Sequence, residues 1–307
     1  MNAIEVQALS YRYRPTVEAL YGITMDVKAG AIHGLIGPNG AGKSTLLQCC
    51  AGLRYATSGR VLVSGNDARR VDPIATHALG YLSEAIRLPP KMTLAQVERF
   101  IAPLHPRWDP ALAASLRTSF GLDASRKCGT LSRGEHMKAA MLCALAPRPT
   151  LLLMDEPFTG MDVLVKDEIV RGLLAGALDS GTTILIASHD LGELETIIDH
   201  VAILSRGRLL VSGAMETLRE RYRRVTVVAG PTAIGAPVTE ASWMGVERAG
   251  RRLSFLADAT HTTLHADALR QRFPDAEQIT LEEPSLRELF ATLARDAERH
   301  TALEKSA

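Results

Sequence analysis

Residues 37–45 form a glycine-rich segment with the spacing of a phosphate-binding loop. Glycines at this spacing allow a tight turn whose backbone N–H groups point at phosphates. The lysine then reaches the β- and γ-phosphates, and the hydroxyl after it helps to hold Mg²⁺. A strand predicted at residues 31–36 and a helix predicted from residue 45 supply the required context, because a helix N-terminus favours anions. The segment, which predicts a nucleoside triphosphate site, consists of Gly37, Pro38, Asn39, Gly40, Ala41, Gly42, Lys43, Ser44 and Thr45.

Two adjacent carboxylates, Asp155 and Glu156, stand at the end of a buried strand predicted at residues 151–155. One carboxylate can hold Mg²⁺ while its neighbour, turned elsewhere, polarises a water for attack on the γ-phosphate. An ordinary strand exit would also explain these residues. We favour the chemical interpretation because this strand and the glycine loop are complementary parts of one phosphate site.

A third segment begins at Ser132, which precedes Glu135 by three residues in the pattern of a capping box. The apolar residues after it recur at helical spacing as far as Pro147. A serine-capped helix N-terminus is a site that favours anions. It lies 23 residues before Asp155 and need not face Lys43 of the same chain.

Short apolar strands alternate with helical stretches over the first 215 residues, which favours an α/β domain. Strands are predicted at residues 4–9, 23–27, 32–36, 60–63, 79–82, 151–155, 183–187, 201–204 and 209–211. A small helical insert is predicted over about 85–145, with helices at 93–100 and 110–120. Further along, a small α+β region is predicted, with strands at 225–228, 253–256 and 276–281 and helices near 264–273 and from residue 285.

The composition excludes several classes of protein. The chain has 307 residues and a net charge of +1, from 35 basic and 34 acidic residues, so no overall field indicates a nucleic-acid partner. No apolar run has the length of a membrane span, and residues 1–5 lack the features of a signal peptide. The four cysteines show no metal-binding spacing and are interpreted as buried apolar side chains in a reducing compartment.

Over residues 1 to about 215, the chain resembles the ATP-binding subunit of an ABC transporter. Besides the glycine loop and the acidic strand, residues 131–135 (Leu-Ser-Arg-Gly-Glu) stand where the family signature occurs, and residues 159–162 match its D-loop. Residues 188–190 match the switch histidine, and residues 80–84 match the Q-loop region. Tyr13 stands where the family places an aromatic side chain that stacks on adenine, although Tyr11 competes for that role.

The resemblance implies the P-loop NTPase fold of the ABC ATPases, an α/β fold with a mostly parallel core sheet. It adds an antiparallel N-terminal β-subdomain and a small helical subdomain, within an ATP-binding domain at 1–215. Residues 216–307 would form an accessory C-terminal domain. The implied partners are a separate membrane permease and a second ATP-binding subunit, identical or different, with no nucleic acid. The implied location is the cytoplasmic face of the cell membrane.

The implied ligands are ATP and Mg²⁺, and the implied roles follow from the matching motifs. Glu156 is the general base and His189 orients the γ-phosphate and the water. Mg²⁺ is served by Ser44, Asp155 and Glu84. ATP is contacted by Tyr13, by the loop from Gly37 to Thr45, which includes Lys43, and, in the partner subunit, by Ser132 and Gly134. Asp162, also assigned to the nucleotide site, would couple the two sites.

Three positions depart from the family pattern. Arg133 replaces the first signature glycine and could either add a charge-assisted contact to phosphate or obstruct the close approach of the backbone. Glu135 replaces glutamine, and its carboxylate would repel phosphate unless it turns back into the capping box. Glu84 replaces the Q-loop glutamine, as is familiar among bacterial exporters, and residues 283–290 resemble the ending of that group. We therefore interpret the chain as the ATP-hydrolysing motor of an exporter.

Two other functions were weighed against this interpretation. An ABC-type ATPase acting on ribosomes or nucleic acid usually carries two cassettes or long coiled coils, whereas this sequence has one glycine loop, one signature and no heptads. A metabolic kinase with a phosphate-binding loop would leave the signature and His189 unexplained.

Overall fold

The structure is a computed structural model that describes residues 1–14, 17–70, 78–178, 181–230, 243–260 and 266–304. The chain divides into two units. Unit 1 comprises Met1–Asp190 and Leu204–Leu209, and unit 2 comprises Leu191–Ile203 and Leu210–Ala307.

Unit 1 contains both strands and helices. Its strands are β1 (Asn2–Arg14), β2 (Val17–Lys28), β3 (Ile32–Ile36), β4 (Ser58–Val63), β5 (Asn66–Asp67), β6 (Leu79–Ser83), β7 (Leu151–Asp155) and β8 (Thr183–Ser188). Its helices are α1 (Lys43–Cys50), α2 (Leu94–Ile101), α3 (Pro110–Ser119), α4 (Arg133–Leu145) and α5 (Val163–Leu178), with 3₁₀ turns at Ala102–Leu104 and Cys128–Thr130.

A parallel sheet forms the core of unit 1, with β3, β8, β7 and β6 paired in that order. Every residue of β3, β7 and β8 is buried, as expected for parallel strands that are covered on both faces. The register pairs Ile36 with Ser188, and it pairs Asp155 with both Ala187 and Ser83. The carboxyl ends of these strands therefore meet along one edge.

A second, antiparallel sheet of unit 1 has the order β2, β1, β4, β5. Helices α2, α3 and α4 lie between β6 and β7 in the sequence. Each begins at a side-chain cap: Thr93 for α2, Asp109 for α3 and Ser132 for α4. The capping box predicted between Ser132 and Glu135 is confirmed.

Two further strands, β9 (His200–Ser205) and β10 (Arg208–Ala214), each cross the division between the units. The remaining elements belong to unit 2. They are α6 (Leu191–Leu194), α7 (Met215–Arg221), β11 (Tyr222–Ala229), β12 (Trp243–Ala249), β13 (Arg252–Asp258), α8 (Ala266–Arg272), β14 (Ala276–Glu282) and α9 (Leu286–Glu304).

Unit 2 is built on an antiparallel sheet with the order β12, β13, β11, β14. Its apolar cluster contains Val225, Val227, Trp243, Phe255 and Leu269, and the Trp243 and Phe255 rings stack at 4.0 Å between centroids. Outside this cluster, α9 contacts β12 and α6. None of the helices that the structure describes combines the length and the hydropathy of a bilayer-spanning segment.

The predicted strands are confirmed, most of them with one or more additional residues at an end. The prediction for unit 2 missed β12. Of the helix predicted near 264–273, residues 264 and 265 lie outside the described residues, and the rest corresponds to α8. The division into an ATP-binding domain at 1–215 and an accessory domain at 216–307 stays a prediction.

Candidate functional site

The glycine loop connects β3 to α1 and ends at Gly42, the N-cap of α1. Gly40 and Gly42 have φ values of +80° and +104°, which favour glycine. A Cβ atom at Gly42 would also lie 2.7 Å from Leu20 Cδ2 and 2.8 Å from the Ala19 carbonyl oxygen. An alanine at this position would therefore distort the loop.

Lys43, the first residue of α1, is 5% exposed. Its Nζ donates to the carbonyl oxygens of Gly37 at 2.7 Å and of Pro38 at 3.3 Å. Nζ also lies 3.1 Å from Glu156 Oε1, with which it forms an ion pair. The Lys43 ammonium group is thus bound by two carbonyl oxygens of its own loop and by the carboxylate of Glu156, the residue that follows β7.

Asp155 is the last residue of β7 and is 8% exposed. The Ser44 hydroxyl donates to its Oδ1 at 2.9 Å. Burial raises the pKa of Asp155, and the hydrogen bonds from Ser44 and Tyr81 oppose this rise only in part. These two oxygens of Ser44 and Asp155 are hard donors of the kind that Mg²⁺ prefers, and their proximity fits one shared cation.

The described residues contain no group of three or more His, Cys, Asp or Glu side chains that could hold a metal by themselves. Ser44 and Asp155 would supply two oxygen ligands to Mg²⁺. Mg²⁺ commonly takes its other ligands from substrate phosphates and water, so the donor set is suited to a metal that arrives with a nucleotide.

Glu156 has a φ of +52°, which is uncommon for a residue with a side chain. Its Oε2 lies 2.7 Å from His189 Nδ1 and also accepts from the Thr159 hydroxyl at 3.2 Å. Burial acts to raise the pKa of Glu156, but hydrogen bonds from His189 and Lys43 outweigh it, so the pKa lies below its usual value. Glu156 is therefore ionised at neutral pH, and His189 Nδ1 is the donor.

One continuous cluster of side chains therefore lies at the carboxyl edge of the parallel sheet. It consists of Lys43, Ser44, Asp155, Glu156 and His189. Its five residues come from three separate segments of the chain that the register aligns. A buried cation, two carboxylates of opposite pKa shift and a histidine are the groups needed to hold phosphate and to activate water.

Tyr13 lies near the end of β1 and is 47% exposed. Its hydroxyl is 2.9 Å from Thr45 Oγ1, which places the ring beside the first turn of α1. The Arg54 guanidinium lies 4.8 Å from the centre of the Tyr13 ring and 5.6 Å from that of the Tyr11 ring, and Tyr11 is the less exposed of the two residues. This arrangement favours Tyr13 over Tyr11 as the ring that contacts a base.

The signature residues lie at the N-terminus of α4. The Ser132 hydroxyl accepts from the Glu135 amide at 3.2 Å, and Glu135 Oε2 accepts from the Ser132 amide at 2.8 Å. Glu135 has therefore turned back into the capping box, and these hydrogen bonds, with Arg126 as a further donor, lower its pKa. A Cβ atom at Gly134 would lie 2.9 Å from Val165 Cγ1, so glycine allows α4 to pack closely on α5.

Asp162 and Glu84 hold different positions from the cluster around Lys43. Asp162 caps α5, because its Oδ1 accepts from the Val165 amide at 3.0 Å. The Glu84 amide donates to the Asp155 carbonyl at 3.2 Å, but the Glu84 carboxylate is paired with Arg133. The structure therefore brings the backbone of Glu84 to the predicted metal residues and directs its carboxylate towards the signature.

Three residues of the site had no role predicted from the sequence: Tyr81, Thr159 and Arg54. Tyr81 precedes the Q-loop on β6 and hydrogen-bonds to Asp155, and burial raises its pKa. The parallel pairing of β6 with β7 was a signal that could have indicated this contact. Thr159 lies one turn after Glu156, and Arg54 carries no sequence signal for its stacking on Tyr13.

Comparison with known proteins places this site in context. The sequence model of the family described as "ABC transporter" matches residues 20–159. The chain is 30% identical over 313 residues to the daunorubicin resistance ATP-binding protein DrrA3 of Streptomyces coeruleorubidus, covering 97% of this chain and 98% of that protein. It is also 30% identical to the Fe(3+) ions import ATP-binding protein FbpC of Pseudomonas fluorescens, covering 73% of this chain and 64% of that protein.

A solved structure titled as the ATP binding subunit of an ABC transporter superposes with a TM-score of 0.63. It is 27% identical and covers 71% of this chain and 92% of that chain. The similarity in fold therefore reaches most of that subunit.

Proposed function

This chain belongs to the family of ABC transporter ATP-binding subunits, and we propose that it works as one half of an ATP-driven dimer that powers a separate membrane permease. Membership confirms the expected ABC ATPase fold and an ATP-binding domain of the ATP-hydrolysing type. The proposal covers the residue roles, the metal, the dimer, the permease and the direction of transport.

The observation that carries the proposal is the continuous path from Lys43 through Glu156 to His189, with distances of 3.1 and 2.7 Å. In the proposed reaction, phosphate oxygens of ATP displace the Glu156 carboxylate from Lys43. Glu156 then loses a hydrogen bond that lowers its pKa. Its pKa rises, and it becomes a better acceptor for the proton of the attacking water.

His189 keeps its contact to Glu156 and holds the carboxylate in a fixed orientation. Ser44 and Asp155 would hold Mg²⁺, which supplies neutralisation of the phosphate charge. The Asp155 carboxylate, whose pKa is raised by burial, is most stable as an anion when a cation is beside it. Tyr13 would stack on the adenine ring beside Thr45.

Ser132 and Gly134 stand outside the cluster around Lys43, since they begin a helix that carries its own capping box. We propose that this N-terminus caps ATP that is bound to the loop of the second subunit. The site would then be complete only in a dimer, and Asp162, near the same surface, would connect the two sites.

Mixing two inactive variants tests this arrangement. A Lys43→Ala subunit lacks the phosphate lysine, and a Ser132→Arg subunit blocks the signature. A mixed dimer contains one site with both residues intact, so partial recovery of ATPase activity is expected. Ser125→Arg, an exposed position outside the signature, is the control and should stay active alone. No recovery at any mixing ratio would mean that each site is built within one chain.

The permease is proposed from the chain's similarity to ATP-binding proteins of transporters. Export is proposed because Glu84 and residues 283–290 follow the exporter pattern, and because the alignment with a drug-resistance protein covers 98% of that protein. The tagged chain, purified from solubilised membranes of its own cells, should retain a membrane protein with several spans. Retention of ribosomal proteins or nucleic acid instead would favour the other function considered above.

A further inference from the structure

Two residues that depart from the family pattern, Glu84 and Arg133, are paired with each other. The Arg133 guanidinium donates to Glu84 Oε1, and the two side chains are 51% and 47% exposed. Both residues line an open groove of about 540 Å³ in unit 1. The pair thus connects the segment after β6 to the first residue of the signature helix.

The guanidinium also lies beside a glycine in the D-loop. A Cβ atom at Gly160 would lie 2.5 Å from Arg133 Nη1 and 2.9 Å from Arg133 Cζ. Gly160 has a φ of +69°, so both its conformation and its missing side chain suit glycine. Arg133 therefore lies where the signature, the D-loop and the segment at Glu84 meet.

Among the described contacts, Arg133 is the cation that pairs with the Glu84 carboxylate. Arg87 Nη1 donates to the carbonyl oxygens of Glu84 at 2.6 Å and of Ile86 at 2.9 Å. The Glu84 amide is tied to the Asp155 carbonyl. The backbone of Glu84 is therefore anchored at the acidic strand, while its carboxylate is bound to the signature.

We propose that Arg133 is a positioning residue for the γ-phosphate of ATP held by the second subunit, and that Glu84 occupies this guanidinium until ATP closes the dimer. A guanidinium accepts carboxylate and phosphate oxygens in the same geometry. An ion pair this exposed contributes little to stability, so exchanging one anion for another costs little. This inference rests on the proposed dimeric function.

Because of this exchange, removing the charge of Arg133 and removing the charge of Glu84 should have opposite effects on closure of the dimer. Without its charge, Arg133 cannot contact the γ-phosphate, and closure becomes harder. Without its charge, Glu84 no longer competes with that phosphate, and closure becomes easier. Once Arg133 is neutral, the charge of Glu84 should no longer matter for closure.

The experiment uses the full chain carrying Glu156→Gln, which prevents turnover, and measures the ATP concentration that gives half-maximal dimer by light scattering. Arg133→Gln should raise this concentration about tenfold, a typical effect of losing a hydrogen bond to a charged group. Arg133→Lys should raise it less, and Glu84→Gln should lower it. Adding Glu84→Gln to Arg133→Gln should change nothing further.

Two controls separate positioning from a structural role. Arg87→Gln alters the neighbouring arginine, which binds only carbonyl oxygens among the contacts described, and should leave dimer formation unchanged. Binding of ADP to the monomer should be equal in all variants, because ADP lacks the γ-phosphate. A structural defect would weaken ADP binding as well.

Dimer formation by Arg133→Gln at the parent's ATP concentration, or at a lower one, would overturn the exchange. An equal effect of Glu84→Gln with and without Arg133 would also overturn it. If the Glu156→Gln parent stays monomeric with ATP, the dimeric motor and the exchange are both refuted. If the parent dimerises and one of the two results above is found, only the exchange is refuted.

Discussion

Replacing Glu156 by glutamine should separate ATP binding from ATP hydrolysis. Glutamine retains an oxygen that can accept from His189 Nδ1, which lies 2.7 Å from Glu156 Oε2, but its amide cannot take a proton from water. A positioned general base contributes about 10²–10⁴-fold to rate, so turnover should fall at least about 100-fold. Because the proposed dimer would reopen only after hydrolysis, the variant should accumulate as a dimer with ATP and Mg²⁺.

The same substitution should destabilise the nucleotide-free chain. Lys43 is 5% exposed and would lose its carboxylate partner, leaving only the carbonyls of Gly37 and Pro38. Losing a hydrogen bond to a charged group costs about 1.5–3 kcal/mol. For a domain of this size the melting temperature should fall by about 3–12 °C. ATP with Mg²⁺ should restore most of the loss, because its phosphates replace the carboxylate at Lys43.

The matched control is Glu168→Gln, which removes a carboxylate from another largely buried lysine, Lys138. It should lower the melting temperature without the large loss of turnover. Steady-state phosphate release, thermal unfolding with and without MgATP, and size-exclusion chromatography measure the three effects. Turnover by Glu156→Gln within about threefold of the original enzyme would refute the role of Glu156 as a base.

Three further substitutions test other parts of the structure. Lys43→Ala should greatly weaken ATP binding by the purified chain, and affinity equal to the original would contradict the phosphate assignment. Asp155→Asn should shift the Mg²⁺ activation curve of hydrolysis to higher concentration; an unchanged curve would exclude Asp155 as a metal residue. In unit 2, hydrogen bonds from Arg221 and Thr260 overcome the effect of burial and lower the pKa of Asp258 from 3.8 to about 2. The ionised carboxylate therefore stabilises the fold above about pH 4, and this contribution of about 2 kcal/mol disappears as the pH falls towards 2. Asp258→Asn should remove that part of the acid dependence in urea unfolding at several pH values, and an unchanged acid limb would contradict the assignment.

The sequence was sufficient for the parts of the fold in which local pattern and tertiary structure agree. The strand that ends at Ile36 is interrupted only by His33 and Gly34, and the strand that ends at Asp155 starts with four apolar residues. The structure buries every residue in both. The start of α4 was equally readable, because the capping box between Ser132 and Glu135 is a local interaction that does not depend on the rest of the chain.

Strand β12 was not predicted because its pattern is interrupted. Gly245 has a φ of +58°, and the pairing with β13 shifts register between Met244 and Glu247. Such a bulge breaks the alternation of apolar and polar residues by which a strand is recognised. The stacking of Trp243 on Phe255, which fixes the strand in the sheet, is a tertiary contact.

The site itself was predictable as a set of residues but not as a set of contacts. Motif spacing indicated Lys43, Glu156 and His189, while their pairing in the nucleotide-free chain depends on how the strands align. Arg133 and Glu84 were identified as separate departures, 49 residues apart in the sequence. Only the structure shows that each is the other's partner.

The ion pair between Lys43 and Glu156 also has a consequence for how the chain is made. A lysine that is 5% exposed arrives in the folded domain with a counterion from the same polypeptide. A newly synthesised chain therefore need not find a nucleotide before its core can close. Folding and ATP binding become separate events, and the domain can fold stably before it binds its first ATP.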